Sequence, residues 1–171
     1  MTGASMASAM RLPKAFDIYK PVLESELRTA LSDNNLPLYD MLRYHMGWLD
    51  ESGRPTDGLW GKGLRSMMCL FSCEVVGGDW QRALSAAVAL ELVHNFSLIH
   101  DDIQDGDIER RHRPTLWSIW GRAMGLLAGN SMRLHADSTM LNSLSSNVPP
   151  DRLIQALVKF LKLTAGPEKK S

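Results

Sequence analysis

The chain has 171 residues, 44% of them hydrophobic and 22% charged, and its formal net charge is zero. These values are typical of one globular domain and exclude a disordered chain, and a neutral chain is not expected to bind nucleic acid through overall charge. No apolar run is judged long enough for a membrane span, and the N-terminus lacks a signal-peptide apolar stretch. We therefore expect a cytoplasmic protein.

The predicted elements are almost all helices. Apolar residues recur at helical spacing in six segments: about 15–31, 38–49, 62–76, 80 to beyond 102, 115–144 and 151–164. Residues 50–58 and 145–151 are predicted as a loop and a turn from their Gly, Pro and Asp content, and Asp79 as a helix N-cap.

The fourth helix is apolar on all sides, which predicts a buried, central position. Strand signals are scarce. We divide the chain into an N-terminal tail (1–14), a helical domain (15–166) and a polar C-terminal tail (167–171).

Acidic residues cluster where the central helix ends, in the sequence DDIQD at 101–105. At 100° per residue, His94, Asp101 and Asp105 point in nearly the same direction, and Asp102 lies one step away. Carboxylates one turn apart suit Mg²⁺, with water or phosphate completing the octahedron. The alternative at this point is a solvated helix end with surface acids.

Basic residues stand on both sides of this helix. Arg110, Arg111 and Arg113 follow the acids, and arginine binds phosphate oxygens in a bidentate manner. Lys62 and Arg65 precede the helix and share one face, although GKGLR is not a P-loop. Acids and arginines together indicate a site for a metal-chelated polyphosphate. Surface acid–base pairing and a solvated first helical turn are the alternatives.

The combination of GKGLRS (61–66), an apolar helix and ELVHNFSLIHDDIQDGDIERRHRPT (91–115) resembles the first half of the trans-isoprenyl diphosphate synthases, or polyprenyl synthetases. DDIQD resembles the family's first aspartate-rich motif, and the resemblance extends from about residue 15 to the end of the chain. It implies an all-α fold, an isoprenoid-synthase-type helical bundle around a central cavity, here truncated. It also implies a prenyltransferase that condenses isopentenyl diphosphate with an allylic diphosphate to a geranyl-, farnesyl- or geranylgeranyl-type product.

The resemblance assigns roles by position. Asp101 and Asp105 would hold Mg²⁺ as the cofactor, Asp102 would support them in this catalytic group, and Arg110 would bind the allylic diphosphate. The residues implied for isopentenyl diphosphate are Lys62, Arg65, His94 and Arg111. Phe96 and Ser97, just before the acidic motif, would form the pocket that sets product chain length.

Departures from the family pattern bear on activity. Gly63 and Ser66 stand where the family usually has Arg and Pro, and Asn130 replaces the usual Asp. No second aspartate-rich motif occurs, because Asp137 and Asp151 are isolated. Half of the expected metal site is thus missing, and activity of this chain alone is an open question.

Two other functions are compatible with the sequence. A non-catalytic homologue or regulatory subunit would bind diphosphate or a full-length synthase, through a homodimer or a heteromer with a longer synthase. A class I terpene cyclase also uses DDxxD, but it handles one diphosphate, and the cations Lys62, Arg65 and Arg111 argue for a second anion pocket.

Overall fold

A computed structural model describes residues 13–32, 36–56, 61–142 and 149–164. The helices are α1 (Ala15–Ala30), α2 (Pro37–His45), α3 (Leu64–Val75), α4 (Leu84–Asp105), α5 (Leu116–Asn142) and α6 (Pro150–Thr164). An antiparallel hairpin of β1 (Glu109–Arg110) and β2 (Arg113–Pro114) connects α4 to α5. The all-α class is confirmed, and the small hairpin is an addition that the sequence analysis did not predict.

Helix positions agree with the predictions, and the ends differ for local reasons. Helix α2 ends at His45 and not at residue 49, and Gly47 follows with a φ of 82°. The segment Trp80–Ala83 before α4 is a 3₁₀ turn, and the Asp79 carboxylate caps it by accepting from the Gln81 N–H at 3.0 Å. Helix α5 is kinked at Gly121, whose φ is 83°. Residues 57–58 of the predicted loop, 145–148 of the predicted turn, 1–12 of the predicted N-terminal tail and the whole predicted C-terminal tail lie outside the described residues.

Helix α4 occupies the centre, as its composition predicted. It packs most extensively along α5 and also contacts α3 and α1. Close packing against α5 depends on Gly129, because a Cβ there would lie 2.4 Å from the His100 ring on α4. The apolar side chains of α1 complete the core: Phe16, Tyr19, Leu23 and Leu27 are buried, as is Leu31 just after the helix.

One stretch of the described residues, 80–105, is long and apolar enough to cross a membrane by length and composition. The prediction that no apolar run is long enough for a membrane span is therefore wrong for this helix. The central helix of a helical bundle has the same properties. Apolar residues of this helix such as Val88, Leu92 and Ile99 are buried in the protein core, which accounts for its apolar sequence.

Candidate functional site

The last turn of α4 presents three carboxylates in two environments. Gly106, in the left-handed conformation with φ of 74°, terminates the helix directly after Asp105. Asp101 and Asp105 are exposed and make no hydrogen bond or ion pair with another described residue. Asp102 is 2% exposed and points inward. We call these three residues the acidic end of α4.

Arg110 binds Asp102 from the first strand of the hairpin. Its Nε donates to Asp102 Oδ1 at 2.7 Å, and its Nη2 lies 2.6 Å from the same oxygen. Burial raises the pKa of Asp102, and the bond from Arg110 opposes that rise. A buried carboxylate without a partner is strongly unfavourable, so this pair holds Arg110 beside the two open carboxylates.

The hairpin turn begins directly after Arg110. Arg111 and His112 occupy the two turn positions with φ of 54° and 60°, as in type I′ turns. Arg113 anchors the second strand, donating to the carbonyl oxygens of Tyr44 at 3.2 Å and Leu49 at 2.6 Å. Left-handed residues other than glycine are unfavourable and concentrate at functional sites. Of the two left-handed residues, Arg111 is the one whose side chain reaches the neighbouring cleft.

That cleft has a volume of about 710 Å³ and lies between α1, α3, α4 and the hairpin. Charged and polar side chains line it: Lys20, Lys62, Arg65, Glu91, His94 and Arg111. We call it the cationic cleft. The four residues implied for isopentenyl diphosphate by the family resemblance therefore meet in one place, although they come from three parts of the chain. Lys20 and Glu91 were not among the predicted site residues.

His94 lies beside Arg65 on the wall of the cleft. Its Nε2 is 3.2 Å from Arg65 Nη1. Burial lowers the pKa of His94, and the charges of Arg65 and Arg111 lower it further. The imidazole is therefore neutral at pH 7 and can accept a hydrogen bond from Arg65 through Nε2.

Gly61 makes room for the Arg111 guanidinium. A Cβ at this position would lie 3.1 Å from Arg111 Nη2, and the φ of Gly61 is 131°. A side chain at residue 61 would thus be strained and would also press on the guanidinium. The absence of a Cβ at Gly61 therefore leaves space for the Arg111 side chain in the cleft.

Glu91 forms the floor of the cleft and is 3% exposed. Ser66 donates its hydroxyl proton to Glu91 Oε2 at 2.6 Å, and Asn95 Nδ2 donates to the Glu91 carbonyl oxygen at 2.9 Å. Burial raises the pKa of Glu91, whereas the Ser66 bond and the nearby Arg65 lower it. Ser66, where the family usually has Pro, therefore has a defined role here: it is a partner for a buried acid.

Phe96 and Ser97, the predicted chain-length residues, are half-buried on α4. The Ser97 hydroxyl donates to the His94 carbonyl oxygen at 2.8 Å, and the Phe96 ring packs edge-on against His100 with centroids 4.6 Å apart. His100 also contacts Gly129 of α5, and its buried Nε2 has no hydrogen-bond partner among the described residues. His100 therefore lies between the Phe96 ring and α5.

A smaller cavity of about 190 Å³ lies behind the hairpin, lined in part by His45, Asp102 and Arg110. Burial lowers the pKa of His45 to about 3, and the charges of Arg111 and Arg110 add to the effect. A neutral His45 thus supports the hairpin without adding positive charge.

The donor set fits Mg²⁺ in a specific way. No three His, Cys, Asp or Glu side chains of the described residues gather into a metal cluster. Asp101 and Asp105 offer hard carboxylate oxygens that make no hydrogen bond or ion pair within the part of the chain that the structure describes. Mg²⁺ keeps several waters and is commonly bound by one or two carboxylates together with substrate phosphates. Asp101 and Asp105 lie near Arg110, which Asp102 holds in place. This arrangement suits a Mg²⁺ ion that is already bound to a diphosphate.

Comparison with known proteins identifies the family of the chain. The family model "Polyprenyl synthetase" matches residues 47–166. The chain is 47% identical over 108 residues to (2E,6E)-farnesyl diphosphate synthase of Mycobacterium tuberculosis, covering 63% of this chain and 30% of that protein. It is 33% identical over 154 residues to the heterodimeric geranylgeranyl pyrophosphate synthase large subunit 1 of Arabidopsis thaliana, covering 88% and 40%.

A solved structure shows the same fold. Geranylgeranyl pyrophosphate synthetase from the archaeon Geoglobus acetivorans superimposes with a TM-score of 0.75 at 28% identity, over 89% of this chain and 45% of the other. The chain thus spans less than half the length of these three relatives.

Proposed function

We propose that this chain, which belongs to the polyprenyl synthetase family, supplies the isopentenyl diphosphate site and one half of the allylic diphosphate site of a prenyl diphosphate synthase. The reaction is condensation of isopentenyl diphosphate with an allylic diphosphate. The product is of the geranyl, farnesyl or geranylgeranyl type, in line with the farnesyl and geranylgeranyl synthases among the relatives.

One observation carries the proposal. The cationic cleft and the acidic end of α4 are adjacent along the same helix, since His94 lines the first and Asp101 belongs to the second. Two diphosphate groups can therefore be held side by side. The cationic cleft would bind one without metal, and the acidic end of α4 would bind the other through Mg²⁺ and Arg110. A terpene cyclase handles one diphosphate and has no use for the cationic cleft.

The chemistry requires charge stabilisation and exclusion of water. When an allylic diphosphate ionises, negative charge develops on the leaving group, and Arg110 would stabilise that charge. Bound by Asp101 and Asp105, Mg²⁺ would add positive charge to that diphosphate. The apolar surface of α4, including Phe96, would shield the allylic cation from water. Phe96 and Ser97 remain the proposed determinants of chain length.

A second candidate function is a binding subunit in the cytoplasm that pairs with a longer synthase. The observation that favours it is the row of leucines exposed along α5, Leu127, Leu134 and Leu141. One relative is named as the large subunit of a heterodimeric synthase. A homodimer or a heteromer with a longer chain would each cover this surface, and the heteromer would also supply the second aspartate-rich motif.

Calorimetric titration tests the proposed function. The purified chain should bind isopentenyl diphosphate without metal, and geranyl diphosphate only with Mg²⁺. The double substitution Asp101→Asn with Asp105→Asn should abolish the binding of geranyl diphosphate in the presence of Mg²⁺. Binding of isopentenyl diphosphate should not change. Asp137→Asn is a matched control, because Asp137 pairs with Arg133 on α5 instead. Failure of the wild-type chain to bind either diphosphate would refute the proposal.

Turnover separates the two candidates. A Mg²⁺-dependent product from the two diphosphates with this chain alone identifies a synthase. Product formed only after mixing with a full-length synthase that lacks its own first aspartate-rich motif identifies a subunit.

A further inference from the structure

We propose that Lys20 on α1 is a diphosphate-binding residue of the cationic cleft, acting together with Lys62, Arg65 and Arg111. This inference rests on the proposed function and adds a residue to that site. Lys20 precedes the residues matched by the family model, which begin at 47. It also precedes the GKGLRS motif by 41 residues, so no motif includes it.

The core contacts of α1 determine where Lys20 lies. Tyr19 is 1% exposed, its hydroxyl donates to Glu74 of α3, and its ring packs on Trp80 with centroids 5.0 Å apart. These contacts fix the rotation of α1 about its axis. Lys20 is the next residue, 100° around the helix, and it reaches the edge of the cleft as a half-buried side chain.

Lys20 is not committed to another partner. Glu24, one turn further along α1, binds Arg28 at 2.9 Å. No hydrogen bond or ion pair joins Lys20 to any other described residue. Its ammonium group is therefore available to a ligand in the cleft.

The charge balance of the cleft indicates the ligand class. Four cationic side chains line it with a single carboxylate, that of Glu91, which is buried below and bonded to Ser66. Such an excess of positive charge favours a ligand with several negative charges, such as a diphosphate, over a monoanion. Lysine contributes a mobile point charge, which suits the outer phosphoryl group of a ligand that Arg65 and Arg111 hold in a bidentate manner.

Titration of three ligands tests the inference: isopentenyl diphosphate, inorganic pyrophosphate and inorganic phosphate. We expect Lys20→Met to weaken binding of both diphosphates about tenfold, the usual loss for one hydrogen bond to a charged group, and to leave phosphate binding almost unchanged. Lys20→Arg should restore most of the affinity. Lys14→Met is the matched control, since Lys14 is exposed just before α1 and does not line the cleft.

The outcomes are distinguishable. If the wild-type chain binds diphosphates and Lys20→Met binds them equally well, with an unchanged melting temperature, the role of Lys20 is refuted and the proposed function stands. An equal loss in Lys14→Met would show a general charge effect and would also refute it. If the wild-type chain binds no diphosphate, the proposed function and this inference both fail.

Discussion

At the scale of single residues, Ser66 provides a hydrogen-bond partner for the buried Glu91 below the cationic cleft. The Ser66 hydroxyl is the donor to a carboxylate that burial makes hard to ionise, and the two residues lie 25 positions apart. The proline that the family usually has at this position could not donate this bond. The departure from the family pattern at Ser66 therefore provides a hydrogen-bond partner for the buried acid beneath the cleft.

Ser66→Ala should destabilise the chain in a pH-dependent way. Burial already raises the pKa of Glu91 above its ordinary value of 4.5, and loss of the hydrogen bond raises it further. A carboxyl group with a raised folded-state pKa lowers stability as pH rises from its unfolded-state pKa to its folded-state pKa. The loss should thus be small near pH 4 and grow as the pH rises past the raised folded-state pKa of Glu91, to about 1–3 kcal/mol, the range for a buried charged group without its partner.

Urea unfolding at several pH values measures this effect. Ser72→Ala, at an exposed position on the same helix, should show a small and pH-independent change. A loss for Ser66→Ala that is the same at pH 4 and pH 7 would contradict the role assigned to Glu91.

At the scale of elements, the hairpin between α4 and α5 combines strain with function. Two left-handed residues other than glycine occupy its turn, yet only Arg111 reaches the cationic cleft. His112 is fully exposed, and its closest charged contact is Glu109 at 3.7 Å. Arg111 lines the proposed isopentenyl diphosphate site, and His112 does not. We therefore expect that the strain at His112 can be relieved without loss of isopentenyl diphosphate binding.

His112→Gly should therefore stabilise the chain by about 1 kcal/mol, because glycine adopts the left-handed conformation without the steric penalty of a Cβ. For a domain of this size the melting temperature should rise by about 2–4 °C. Isopentenyl diphosphate binding should not change. His112→Ala is the control: it removes the imidazole and keeps the strain, so an equal gain in this variant would show that turn strain is not the cause.

At the scale of the whole molecule, α5 carries an unusual amount of exposed apolar surface. Leu127, Leu134 and Leu141 are 48%, 69% and 47% exposed, and their spacing of seven residues places them in one row. Ile154, Val158 and Leu161 of α6 are exposed as well. Contiguous apolar surface of this kind marks a protein–protein contact in folded proteins.

We expect the isolated chain to self-associate through this row. Sedimentation velocity should show a concentration-dependent increase in mass for the wild type, and Leu134→Glu should shift the chain toward the monomer. Val76→Glu is a suitable control, because Val76 is 83% exposed but lies at the end of α3. A wild-type chain that is monomeric at every concentration would contradict the expectation.

The sequence by itself determined the features that depend on local spacing. The helical periodicity of residues 15–31 and 151–164, the apolar central helix and the clustered acids at 101–105 could all be read from neighbouring residues. The structure agrees with these helices, and it gathers the predicted isopentenyl diphosphate residues in one cleft.

Only the tertiary structure decided the contacts between distant segments. Lys20 reaches the cleft because Tyr19 fixes the orientation of α1, and His100 meets Gly129 because α4 and α5 pack closely there. The hairpin also escaped prediction, since its strands are two residues long and leave no periodic pattern. Such features depend on how helices cross, and the free energy of a crossing is distributed over many side chains of both helices, so no short stretch of sequence encodes it.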